Sequence, residues 1–130
     1  MSYVTNIKNI VNGTTNKIVI LNGEKNNERI EILSGLSWQG DLWVPWIGHQ
    51  GEDWKAIKIF VEGGYDVIYL YQDYHHPAHK SAIKYSVGGL VYGFAKEIPG
   101  NNRGGGDKVL FISIVLSQEN GLPIVGLEMA

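Results

Sequence analysis

The chemistry available to this sequence lies in aromatic rings interleaved with carboxylates, amides and imidazoles, concentrated in three stretches. Residues 38–54 hold all four tryptophans, Trp38, Trp43, Trp46 and Trp54, among Asp41, His49, Glu52 and Asp53. An indole left facing water stacks on the apolar side of a pyranose while carboxylates and amides take its hydroxyls, so this segment suits a sugar. The same ring suits a membrane interface, where one side is apolar and the other wet. Burial of these rings as ordinary core is the competing expectation, but at least one of them is expected to be exposed.

Residues 65–79 carry Tyr65, Tyr69, Tyr71, Asp73, Tyr74, His75, His76 and His79. If Ile68 and Leu70 point inward, period-two alternation puts Tyr69, Tyr71 and Asp73 together on the other face. That face is either a ligand platform or a cross-strand aromatic ladder that only stabilises a sheet. Three histidines near Asp73 raise the question of a metal. Adjacent histidines on an extended chain point apart, and Pro77 stiffens the loop, so a solvated loop is expected and no metal. Residues 98–107 form a glycine-rich polar turn whose Asn101, Asn102, Arg103 and Asp107 offer donors and acceptors. The ending and following helix of a phosphate loop are both missing there.

Catalysis finds little support. Ser34, Ser37, Ser81, Ser86, Ser113 and Ser117 lie in no nucleophile elbow. Asp41 paired with Glu52 or Asp53 has the right chemistry to hydrolyse a glycoside, but sequence does not set their separation. No enzyme activity and no cofactor are expected. Asn12-Gly13-Thr14 matches a glycosylation acceptor and is read here as a turn.

These residues must be held by strands. Short β-branched and aromatic runs, each closed by Gly, Asn, Asp or Pro, recur along the whole chain. They predict strands over residues 3–11, 17–22, 28–33, 41–47, 55–62, 66–72, 81–87, 90–95, 108–116 and 122–127. Ile57, Ile59 and Val61 take one face of their run, as do Ile30 and Ile32 of theirs. Residues 108–116 are apolar on nearly both faces, which predicts a mid-sheet strand covered on two sides. Asn12-Gly13 predicts a link between the first two strands, and Asn22-Gly23 a turn into the third. No sustained helical period emerges. The expected fold is a single all-β domain over residues 1–130, a small antiparallel β-sandwich of about ten short strands in two sheets, with little or no helix.

Composition fits that reading. The chain has 130 residues, 44% hydrophobic and 18% charged, enough to bury a core without cross-links. The absence of cysteine excludes disulfides and thiolate chemistry. Eleven basic against 13 acidic residues, net charge -2, argue against nucleic acid as a partner. No signal-like or membrane-spanning stretch stands out, so a protein that is cytoplasmic or released without a conventional signal peptide is expected.

In size, absence of a signal and Trp/Tyr-rich strands, the chain loosely resembles the small β-sandwich proteins grouped as actinoporin-like lectins and aegerolysins. The resemblance covers general texture over the whole chain and rests on no motif, so it carries no residue role. Sequence therefore leads to a non-enzymatic binding module, lectin-like, with a glycan as ligand and a homo-oligomer as the working form. Its candidate contacts are Trp38, Asp41, Trp43, Trp46, His49, Asp53, Trp54, Tyr71, Asp73, Tyr74, His75, Asn102, Arg103 and Asp107. The alternatives are a toxin or defence protein that binds a lipid headgroup at a membrane surface, or forms pores, and a self-assembling structural protein.

Overall fold

The computed structural model describes residues 4–73, 82–91 and 95–130. Among them run eleven strands: β1 (Thr5–Asn12), β2 (Ile18–Asn22), β3 (Glu28–Ile32), β4 (Ser37–Trp43), β5 (Trp46–Ile47), β6 (Ile57–Val61), β7 (Ile68–Asp73), β8 (Ile83–Val87), β9 (Lys96–Glu97), β10 (Gly106–Leu116) and β11 (Pro123–Met129). One sheet has the order β11-β10-β1-β4 and the other β3-β2-β6-β7-β8-β9, with β5 paired to the end of β7. The only helical pieces are short 3-10 segments, Gly23–Lys25 and Gln50–Lys55, among the described residues.

The sheets face each other across one apolar layer. Ile7, Ile10, Leu42, Leu110, Ile112 and Met129 from the smaller sheet meet Ile18, Ile20, Ile57, Ile59, Ile68, Leu70 and Ile83 from the larger. Alternation accounts for most of this: in β6, Ile57, Ile59 and Val61 are buried while Phe60 is exposed. In β1 the inward residues Ile7 and Ile10 are three apart, a spacing that a regular strand would split between faces. The register slips between Ile7 and Asn9 against both neighbours, and the irregularity brings Ile10 back to the core.

Several expectations need correction. The sandwich is mixed: β1 runs parallel to β10, and β5 runs parallel to β7. The predicted strand over 41–47 is two, interrupted at Val44 and Pro45, because proline brings no N–H to a ladder. Residues 90–95 form no strand where described; Leu90 instead fills a small second core with Ile47, Ala56 and Tyr71. Asn12-Gly13 does not close a hairpin, since β1 and β2 belong to different sheets. It begins the crossing between them. Asn12 is buried there, its amide donating to the carbonyls of Asn16 at 2.8 Å and Ile32 at 3.0 Å and its carbonyl accepting from Thr14. Asn22-Gly23 does begin the β2–β3 turn. Strand β10 is mid-sheet as expected but covered on one face only, for Phe111 and Val115 point outward at 41% and 44% exposure.

The chain end is pinned by a bridge from Gly100 to Met129. Gly100 has φ +98, and a Cβ there would lie 2.1 Å from the Met129 carbonyl oxygen. Gly104 shares a positive φ of +86 but faces open space. Replacing Gly104 with Ala should therefore cost about 1 kcal/mol of backbone strain. Gly100→Ala, which adds a backbone collision, should cost at least about 2 kcal/mol more, measured by urea unfolding.

Candidate functional site

The four tryptophans, adjacent in sequence, part company in space. Trp38 faces inward on β4, packed against the main core, with its ring lying over the Cα of Gly40. Trp43 stands on the outer face at 45% exposure, Trp46 is half-buried in β5, and Trp54 is 59% exposed on the second 3-10 segment. The Lys55 ammonium lies 5.9 Å from the Trp54 ring centroid. His49 caps that segment, its Nδ1 accepting from the Gly51 N–H, and Asp53 is exposed in its first turn. Two indoles thus face water, on separate elements.

Tyr71 and Asp73 do share the face of β7 opposite Ile68 and Leu70, but the chain covers that face. Both are 0% exposed. Tyr71 packs with Ile47, Ala56 and Leu90, and burial, with the Asp73 carboxylate nearby, pushes its phenol far above the ordinary 10.0. Asp73 is ion-paired to Lys84 of β8 at 2.6 Å. Neither reaches a surface ligand, so the platform expected on this face is a covered second core. Tyr74 and His75, with His76 and His79, lie outside the described residues.

The 98–107 turn also divides. Arg103 forks onto Glu97 at 3.1 and 3.0 Å, and Asn102 donates to Glu97 and to the Ile98 carbonyl. Lys108, buried on the core side, donates to the Arg103 carbonyl, and desolvation lowers its pKa. Asn102 and Arg103 therefore hold the loop rather than offer it. Asp107 is different. Asn6 pairs in register with both Asp107 and Trp43, which sets those three in one row on the outer face of the smaller sheet. Beside them Asp41 accepts from Lys8 Nζ at 2.7 Å and from the Asn6 amide at 2.9 Å. The structure thus brings Asp41, Trp43 and Asp107 together, on a flat surface and with Asp41 already engaged.

A concave site lies elsewhere. Beyond the β11 edge of the smaller sheet, Val87 at the end of β8 and Lys96 of β9 are exposed on the inner face of the larger sheet, while Ile68, Leu70 and Ile83 of that face are buried in the main core. A cleft of about 590 Å³ opens there, floored by Ile68 and Tyr85 and walled on one side by the β10–β11 turn. Tyr65, from the turn before β7, and Tyr85 contribute rings. Asp66, Lys96, Glu119 and Asn120 contribute polar groups, and Lys96 stands in register with Tyr85. The side chains of Tyr65, Asp66, Tyr85, Lys96 and Glu119 make no hydrogen bond or ion pair with a described residue, so their capacity is open to a ligand. None of these five is among the candidate contacts read from sequence, although Tyr65 opens the aromatic stretch noted there. The available signal was Tyr85 at an inward position between Ile83 and Val87, because a phenol on a core-facing site needs a polar outlet.

Compared with known proteins, the chain matches no family model, no curated protein and no solved structure. The shared texture with actinoporin-like lectins and aegerolysins accordingly adds no site residue.

The Lys8 bond, and behind it that of Asn6, holds the Asp41 carboxyl below its ordinary 3.8. A depressed carboxylate stabilises the fold above its unfolded pKa and loses that contribution as pH falls through the folded value. An NMR titration should place the Asp41 midpoint below 3.8 in the wild type and return it toward 3.8 in Lys8→Met.

Proposed function

We propose that this protein is a non-enzymatic carbohydrate-binding module whose site is the cleft at the β11 edge of the sandwich. The observation that carries the reading is the pairing of Tyr65 and Tyr85 with the uncommitted Asp66, Lys96 and Glu119 in one open hollow. Rings supply a stacking surface for the apolar side of a sugar, and the carboxylates and ammonium supply fixed hydrogen-bond partners for its hydroxyls. Pockets of this kind are apolar in outline with a few convergent polar groups, and a volume near 590 Å³ falls within the usual range for a small ligand. Tyr85 is held between β7 and β9, and Lys96 is tied to β8 on one side, so the backbone that carries them is already ordered.

A second reading, a lipid headgroup in the same cleft, draws on the apolar side chains around its mouth. Val87, Val91 and Ile124 line the cleft and are exposed, an apolar rim suited to resting on a bilayer surface. No helix among the described residues is long and apolar enough to cross a membrane.

A glycan array followed by titration calorimetry tests the first reading. Tyr85→Ala and Tyr65→Ala should each weaken the best glycan at least about tenfold, while Trp43→Ala stays within about twofold. The reverse pattern would move the site to the outer face of the smaller sheet. An array without a hit, together with co-sedimentation on liposomes, would replace sugar by lipid; failure of both ends the proposal.

A further inference from the structure

Strand β10 outruns its neighbour. Its pairing with β1 ends at Asn12 and Ile112, where the Gly13 N–H donates to the Ile112 carbonyl, while its pairing with β11 continues to Leu116 and Pro123. Residues 113–124 therefore project as a two-stranded arm with one partnered edge and one open edge. The direction of the main-chain groups follows from the ladder. Val109 and Ala130 exchange both bonds at 2.9 Å, and the Ser117 N–H bonds the Leu122 carbonyl. Antiparallel alternation then turns Ser113 and Val115 toward β11, and turns the N–H and C=O of Ile114 and Leu116 toward the open edge. Neither Ile114 nor Leu116 has a main-chain partner there among the described residues.

Edges of this kind are normally blunted by charge, proline or a bulge. Residues 113–116, Ser-Ile-Val-Leu, have none of these. Apolar side chains flank them on the arm: Val115 and Ile124 exposed on one side, and Leu116 at 69% and Leu122 at 60% near the tip. A strand with two N–H and two C=O groups facing outward is complementary to itself. Across a two-fold axis through Val115, Ile114 of one copy meets the partner's Leu116, and the two N–H and two C=O groups of each copy close a four-bond ladder. No charge on these four residues opposes that approach.

We propose that the open edge of the arm is a self-association surface, pairing two copies of this chain antiparallel through residues 114–116. The contact joins the two smaller sheets into one continuous sheet. Its area is small, so the dimer should be weak and concentration-dependent, with a dissociation constant on the order of 10–100 µM.

Sedimentation equilibrium of the full chain from micromolar to millimolar concentration tests this. The mass should rise from 14.4 kDa toward twice that value. Leu116→Pro removes an open-edge N–H without touching the bonds to β11, and should weaken the dimer at least tenfold with an unchanged far-UV spectrum. Leu116→Ala keeps that N–H and should weaken it less. A wild-type mass of one chain at millimolar concentration overturns the proposal, as does equal weakening by the two variants. Hydrogen exchange needs no variant: the Ile114 and Leu116 amides should be protected at high concentration and not at low, and equal rates at both would also overturn it.

Discussion

Two sheets of unequal width share one apolar seam, and that mismatch decides where the molecule can be entered. Four strands bury their isoleucine and leucine faces against the middle of a wider sheet in one close-packed layer. At the margin of the covered zone Tyr85 is half-buried against the core, while Val87 and Lys96 are exposed, so a phenol and an ammonium occupy inward positions that full burial would give to aliphatic side chains. The hollow is a consequence of sheet geometry before it is a feature of any ligand.

The wider sheet solves its outer face differently. The segment that leaves β4 crosses that face through β5 and the 3-10 turn, laying Ile47 and Ala56 over Tyr71. Asp73, trapped beneath, is neutralised by Lys84 on the adjacent strand. An isolated carboxylate in that position would be strongly destabilising, so the pair is a condition of covering the face at all. On the smaller sheet no described element packs over the outer face at Asp41, Trp43 and Asp107, and all three are exposed.

Strand positions could be read from the sequence wherever alternation was local. The pattern of Ile57, Ile59 and Val61, or of Ile30 and Ile32, is complete within five residues, and the turn at Asn22-Gly23 follows directly from its residue types. Pairing between β1 and β10 leaves no such trace: the partners are about a hundred residues apart, and parallel register has no turn to announce it. Proximity in sequence misled at the tryptophans. Trp38 and Trp43 are five residues apart on one strand, an odd interval that sends them to opposite faces. The cleft was harder still to foresee, since Tyr65, Tyr85, Lys96 and Glu119 come from four separate segments, each of which reads alone as an ordinary turn or strand end.

The walls of the hollow differ in stiffness. One belongs to β7 and β8, interior strands of the wider sheet and paired on both sides. The other is the overhanging hairpin, supported past Ile112 by a single ladder, and two-stranded ribbons are only marginally rigid by themselves. The hollow therefore has one wall tied into its sheet from both sides and another cantilevered from the point where β1 lets go of β10, braced below by Ile114 and Val125 against the isoleucine layer.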